Sequence, residues 1–324
     1  STLDRSSAAS DVYKRQVDRS SIRQGNAVIA IKDVSDAILW SWHVWVTDED
    51  INNVIEITNH QNVKYNFMPV NLGQCDGNTI TYEERSCKVK FIAGDQSKEI
   101  TIKQLANVIA TGSNAPFYQW GRKDPLYPSN GMGNTTKIWY DKEGIPSTAN
   151  PMKGTFSAGN DCIKNCILNP NLMHNRYNGD YTYYNLWSAD NKTTSANDNP
   201  VNKTIYDPCP VGFKLPASNA FTGFTTTGES VSSSTQVNGT WSSSEKGWYF
   251  YTNSEKTQSI FFPALGYRSY STMRPGSIGT QGCFWSAHPV AKGNNYYLRT
   301  SSVDVQPTYM VDRGFGYALR PCQD

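Results

Sequence analysis

From residue 26 onward, apolar and polar residues alternate over short stretches, the period-two pattern of strands with unlike faces. Residues 26–33, NAVIAIKD, and 37–48, AILWSWHVWVTD, predict two strands of a hairpin. In the second, Trp40, Trp42, Val44 and Val46 share one face and Leu39, Ser41, His43 and Trp45 the other, so both faces expect partial cover. YNFMPVNLG predicts a strand ending at Pro69 or at the Gly73 turn. CKVKFIAGDQSKEITIKQ, residues 87–104, alternates around Val89, Phe91, Ile100 and Ile102 about a GDQSK turn, which predicts a hairpin with one wet face. Residues 111–203 are rich in Asn, Gly, Pro and Tyr and read as ordered irregular loop. Helix spacing appears there only in NDCIKNCILNPNLM, where Ile163, Ile167 and Leu168 precede Pro170. Further on, NAFTGF predicts a short helix with Ser218 as N-cap. GTWSSS, GWYFYTN, QSIFFPALGYRS, GCFWSAHP, NNYYLRTSSVDVQP and GFGYALRP then follow as turn-separated strands. The fold class is α+β: short twisted antiparallel strands, one or two short helices and long ordered loops.

Composition narrows the functions. The 324 residues carry a net charge of +2, and no basic run exceeds two residues, so the footprint of a nucleic-acid binder is missing. Only 18% of residues are charged, so the polarity comes from Asn, Ser, Thr, Tyr and Gly, as in many-turned β structure and adaptable recognition surfaces. No stretch of about 18 apolar residues occurs, so no transmembrane segment is expected in this sequence. Residues 1–16 begin without Met and lack periodicity; SSAASDVYKRQ resembles translated sequencing-adaptor read-through and is set aside. The true N-terminus and any export signal are then expected upstream.

YDPCPVGFKLP, starting at Tyr206, sets a cysteine between two prolines. Each proline fixes φ and pushes its predecessor toward extended backbone, so the segment is a rigid corner suited to a permanent crosslink. Seven cysteines leave at least one unpaired in any set of internal bridges. Cys209 and Cys322 share Pro-flanked settings and are the preferred pair, with Cys283 left free; seven reduced, mostly buried thiols are the alternative.

GNAVIAIKD, ILWSWHVWVTD, FMPVNLG, FYQWGRKDP, YDPCPVGFKLP, FFPALGYR, CFWSA and GFGYALRP occur in that order. Together they resemble the C-terminal region of fimbrillin-family surface proteins of Bacteroidales, and the related Fibrobacter succinogenes major paralogous domain, over nearly all of residues 22–324. The resemblance implies a C-type-lectin-like fold, shared distantly with formylglycine-generating proteins, in which first and last strands meet and a disulfide, here Cys209–Cys322, ties the corner to the last strand. Such a bridge would contribute roughly 4 to 5 kcal/mol in the chain-entropy model. It also implies a division into residues 17–34 as the end of an upstream β region and 35–324 as the lectin-like domain, with a hairpin insertion near 75–104 and a looped region near 111–203.

The implied role is a non-enzymatic adhesin-like module outside the cell, associated with the outer membrane or a fimbria, that takes a glycan or protein ligand. A structural pilin subunit packing against its neighbours is the alternative, and a secreted enzyme, glycan-active or formylglycine-generating, is a further one. Residues 267–320 are similar in rhythm to the diversified variable proteins of retroelement systems, which places ligand binding at Arg268, Tyr270, His288, Asn294, Asn295, Tyr296, Tyr309 and Arg313.

Enzymatic constellations are missing from the sequence. His43, His60, His174 and His288 fall in no HExxH or Cys-His metal spacing, and GxSxG does not occur. Isolated strand histidines are more often packed or solvated than catalytic. Cys283 and Cys322 are the nearest counterparts of the reactive cysteines of the formylglycine-generating relatives, but the surrounding Arg- and Gly-rich pattern is missing. Asp180, Asp190, Asp198 and Glu229 carry no glycosidase signature and read as solvated loop acids. Calcium is the one candidate cofactor, through the oxygens of Asp190, Asp198 and Asn199 in SADNKTTSANDNP, although EF-hand spacing is missing.

Overall fold

Every named strand pairing is antiparallel, and the pairings fall into small sheets of two to four strands. The structure is a computed structural model that describes residues 22, 24–75, 80–109, 115–126, 139–140, 146–147, 161–170, 172–174, 186–190, 194–272, 274–290 and 293–324. Much of the looped region predicted within 111–203, Asp180 included, lies outside the described residues. The chain divides into two compact units, one of Ser1–Gln24 with Asp76–Ser113, the other of Gly25–Cys75 with Asn114–Asp324. The insertion near 75–104 is therefore part of a unit of its own. The strand Gly25–Lys32 belongs to the larger unit.

In the smaller unit, Arg85–Ala93 and Gln96–Gln104 form the predicted hairpin, turning at Gly94, whose φ of 58° is left-handed. Val89 is buried there, whereas Ile100 and Ile102 are exposed.

In the larger unit, Gly25–Lys32 pairs with Ile38–Val46 as predicted. The face carrying Ser41, His43 and Trp45 makes the inward hydrogen bonds: Ser41 Oγ to Asp124, His43 Nδ1 to Tyr118 OH, and Trp45 Nε1 to the Gln74 carbonyl. Polar side chains with partners thus take the inner positions, and Trp42 (46% exposed) and Val44 (40%) lie outward.

The last strand closes the unit. Cys322–Gln323 lies between Phe213–Lys214 and Lys64–Phe67 in a four-stranded sheet completed by Ile55–Thr58. A second four-stranded sheet runs Pro275–Gly276, Tyr267–Arg268, Gly316–Tyr317, Tyr118–Gln119. Two three-stranded sheets follow hairpin order, Gly239–Ser242 with Gly247–Tyr251 and Ser259–Pro263, and Gly282–Pro289 with Asn294–Thr300 and Val305–Asp312. The core is aromatic. Phe224 stacks on Phe250 with centroids 3.9 Å apart, and Phe262 meets both edge-on. A neighbouring cluster gathers Trp120, Trp187, Trp285, Tyr297 and Tyr317.

The described helices are the α-helix Asp161–Leu168 and two 3₁₀ segments, Ser218–Phe224 and Ser234–Gln236. Ser218 is not the predicted cap. Ala217 holds that position, and Ser218 Oγ bonds Asn197 instead.

Candidate functional site

The Pro-Cys-Pro corner is braced without a crosslink. Cys209 and Cys322 are both buried free thiols, so the expected disulfide is not formed. Asp207, buried beneath the corner, accepts from the backbone N–H of Cys209 at 2.8 Å and of Leu215 at 3.0 Å. Lys203 Nζ donates to the carbonyls of Cys209, Pro210 and Phe213 at 2.5, 2.9 and 2.7 Å. Burial pushes the Asp207 carboxyl up from its ordinary range, against the pull of its donors and of Lys203. Pairing of Lys214 with Cys322 then fixes the corner to the last strand.

The eight binding positions predicted in residues 267–320 mostly belong to the interior. Arg268, His288, Asn295, Tyr296 and Arg313 are buried. The cause is local: Gly282–Pro289 is buried at every position and Asn294–Thr300 at five of seven, so side chains on both faces of these strands are enclosed. His288 Nδ1 lies 3.3 Å from the Ser218 N–H, Asn295 Nδ2 donates to the His288 carbonyl, and Tyr296 OH donates to the Thr194 carbonyl. Arg313 lies over the Trp120 ring at 4.3 Å. Tyr270 and Asn294 are half-buried, and Tyr309 is 45% exposed.

Tyr309 stands at the end of an aromatic series. Its ring meets Tyr297 edge-on at 5.7 Å, and Tyr297 packs on Trp285 and Tyr317. Arg299 lies 5.8 Å from the Tyr309 ring and is itself held by Asp304 and Gln306 at 3.1 and 2.9 Å. Met310, 51% exposed, is the next residue along. Arg299 was not among the predicted positions, although its place in YYLRT, beside two tyrosines, was the available signal.

The loop proposed for calcium is engaged otherwise. Asp198 accepts from Asn59 Nδ2, Tyr65 OH and Asn219 Nδ2 at 2.6, 2.7 and 2.8 Å, and Asp190 accepts from Asn202 Nδ2 at 2.7 Å. Among the described residues, no three His, Cys, Asp or Glu side chains are placed to hold a metal ion. Asp198 also lies within electrostatic reach of His288, which Ser218 Oγ approaches at 3.3 Å. These are the residue types of a hydrolytic triad, but Ser218 and His288 are fully buried and Asp198 is occupied by three donors. They form a joint between loop and sheet. Burial likewise pushes the thiols of Cys283 and Cys322 up to about 12, which makes them inert as nucleophiles.

A second concentration of chemistry follows strand Tyr118–Gln119. Gly121, at φ 83°, turns the chain closely against Leu186, and Arg122, Lys123 and Asp124 come next, all buried. Lys123 Nζ donates to Asp124 Oδ2 and to Ser41, whose hydroxyl donates to the same carboxylate oxygen. Burial pulls the Lys123 ammonium down from its usual range. Arg122 donates to Gln119 Oε1 and to the carbonyls of Leu172 and Pro170 at 3.1, 2.5 and 2.7 Å, holding the turn after helix Asp161–Leu168. That turn carries His174, whose Nε2 lies 2.7 Å from Cys166 Sγ. Burial first, then the charge of Arg122, hold His174 neutral, with its pKa near 3. Sequence patterning missed this group because its members come from four separate segments; RKD inside the aromatic stretch FYQWGRKDP was the one visible trace.

No protein-family model, curated protein or solved structure matches the chain.

Proposed function

We propose that this chain is a non-enzymatic ligand-binding module of a fimbrillin-type surface protein, acting outside the cell, with recognition on the outer strand Val305–Asp312. The observation that carries the reading is Tyr309, exposed yet held by Tyr297 and Arg299. An aromatic ring fixed in advance beside a guanidinium offers large contact area at low entropic cost, the economy that recognition surfaces favour. Arg299, Gln306 and Met310 extend the surface with donors, an acceptor and an adaptable apolar group. The C-type-lectin-like fold is part of the proposal. It is supported by the irregular loops between short sheets; the last strand, Cys322–Gln323, pairs with Lys64–Phe67 and Phe213–Lys214, not with the first strand Gly25–Lys32.

Binding to a combined glycan and matrix-protein array, with and without EDTA, tests the reading. The single variants Tyr309→Ala and Arg299→Ala are expected to lose at least 10-fold in affinity for any ligand found. Their stability should stay within about 1 kcal/mol of the parent, because neither side chain is core. Ligand binding that neither substitution weakens sinks the assignment to this strand.

A second reading, a subunit that packs on its neighbours, rests on the outward face of the first hairpin. Ile31, Trp42 and Val44 are all exposed there. Concentration-dependent association in sedimentation velocity, abolished by Trp42→Ser, would favour it; a monomer at every concentration would oppose it.

A further inference from the structure

The hairpin that carries Tyr309 is irregular at one point. Tyr297 faces Tyr309 and Arg299 faces Gln306, so two steps along strand Asn294–Thr300 match three along Val305–Asp312. A bulge of this kind re-aims side chains. In a regular strand Gln306 and Tyr309, three residues apart, would point to opposite faces. Here both stand with Arg299: Gln306 Oε1 accepts from Arg299 Nη1 at 2.9 Å, and the Tyr309 ring lies 5.8 Å from the guanidinium carbon. The turn at residues 301–304 adds a carboxylate. Ser301 N–H donates to the Asp304 carbonyl, Ser301 Oγ donates to Asp304 Oδ2 at 2.8 Å, and Oδ1 accepts from Arg299 Nη1 at 3.1 Å. Arg299 Nε and Nη2, Gln306 Nε2 and Tyr309 OH take no hydrogen-bond partner among the described residues, and none of them is enclosed. Both Asp304 oxygens keep a lone pair to offer. The surface thus holds donors and an acceptor in fixed places beside an open ring, and its one cation is balanced by its one carboxylate.

We infer that the ligand of this surface is a neutral saccharide, with one pyranose ring on Tyr309 and its neighbouring hydroxyls read by Arg299, Gln306 and Asp304. The class rests on the recognition surface proposed above for the outer strand. A pyranose presents C–H groups on its face, which the negative face of an aromatic ring attracts. Its rim carries hydroxyls that each donate and accept. One hydroxyl can accept from the guanidinium or the Gln306 amide and donate to Asp304, so a mixed set of donors and acceptors suits it. An anionic ligand would instead be drawn by an unbalanced cation, and Asp304 at 3.1 Å removes most of that attraction. A protein ligand typically covers about 800 Å² on each side. One fixed ring with a polar edge is the scale of a single sugar.

The test titrates the full chain, at low and at high salt, with neutral trisaccharides of glucose, galactose, mannose, xylose and N-acetylglucosamine. Sialyllactose and a hyaluronan tetrasaccharide serve as acidic probes, and collagen and fibronectin as protein probes. At least one neutral probe is expected to bind, with an affinity that salt leaves unchanged. Tyr309→Ala should weaken it roughly 10-fold or more, and Tyr309→Phe, which keeps the ring, by about 3-fold at most. Asp304→Asn, checked for folding by circular dichroism, leaves Arg299 unbalanced. It should weaken the neutral probe and give the acidic probes a binding that high salt removes. If the unaltered protein takes only the acidic probes or only the proteins, and Tyr309→Ala abolishes that binding, the saccharide class is overturned while the recognition surface stands. If Tyr309→Ala weakens the binding of no probe, both are overturned.

Discussion

Arg320 illustrates how a charge survives in this interior. Its Nε donates to Asn71 Oδ1 at 2.7 Å, Nη1 to the carbonyls of Met68 and Pro69 at 3.2 and 2.9 Å, and Nη2 to the Phe261 carbonyl at 2.7 Å, with the guanidinium 4.3 Å from the Phe262 ring. Burial pulls its pKa down to about 9, yet at neutral pH it stays charged and fully engaged. The planar fork reaches four acceptors that a lysine cannot reach together. Arg320→Lys should therefore cost about 3 kcal/mol or more in urea unfolding, close to Arg320→Met. A lysine variant within 1 kcal/mol of the parent would show that charge alone suffices. The same chemistry explains why exposure was hard to read from sequence in residues 267–320. Arg268 and Arg313 look like surface charges in a polar, tyrosine-rich stretch, but the acceptors and rings that bury such residues come from segments far away in the chain. Tyr309, by contrast, stays exposed because the outer strand leaves its face open.

At the scale of elements, the longer strands were legible and the shorter ones were not. Gly25–Lys32, Ile38–Val46 and the hairpin Arg85–Gln104 each have enough residues to display alternation. Tyr118–Gln119, Phe213–Lys214 and Cys322–Gln323 have two residues each, too few for any period, yet each takes a place in a four-stranded sheet, and Gly316–Tyr317, equally short, was reached only within the longer predicted strand GFGYALRP. The rigid corner was legible from its prolines, but its brace was not, because a buried Asp207 and Lys203 can do by hydrogen bonding what a disulfide does covalently. The 3₁₀ segment Ser218–Phe224 carries a testable constraint at Gly223. A Cβ there would fall against the Thr58 carbonyl and within 3.1 Å of Asn59 Cα, so the segment must lift from the strand it covers. Gly223→Ala should destabilise by about 1–3 kcal/mol, as overpacking does. Gly212→Ala, at φ 83° with nothing near the added carbon, should cost only its backbone penalty of about 1 kcal/mol. Equal losses at the two positions, measured by thermal and urea unfolding, would mean that the covering segment yields.

The whole molecule carries three histidines that burial holds neutral. Desolvation pulls His43 to about 4, His174 to about 3 and His288 to about 4, from an ordinary value of 6.5. His43 accepts from Tyr118 OH at Nδ1 and donates from Nε2 to Asn26 Oδ1, so a second ring proton would break the link between the first hairpin and the body. In each case the folded chain refuses a proton that the unfolded chain takes up below pH 6.5. Stability is therefore fully present above about 6.5 and falls as pH drops toward 4. Asp207 acts in the opposite sense, because its raised pKa lets the folded state take a proton first, but it is one group against three. Near pH 5 the net difference approaches two to three protons, a slope of roughly 3–4 kcal/mol per pH unit. Urea midpoints recorded from pH 7.5 to 4.5 should fall steeply below 6.5. His288→Gln, which removes one titrating group, should flatten the curve by about one proton even though its midpoint at pH 7.5 is lower. A midpoint that stays level to pH 4.5 in the parent would mean that the three imidazoles reach water, and the packing that joins hairpin, loop and sheet would have to be looser than these distances show.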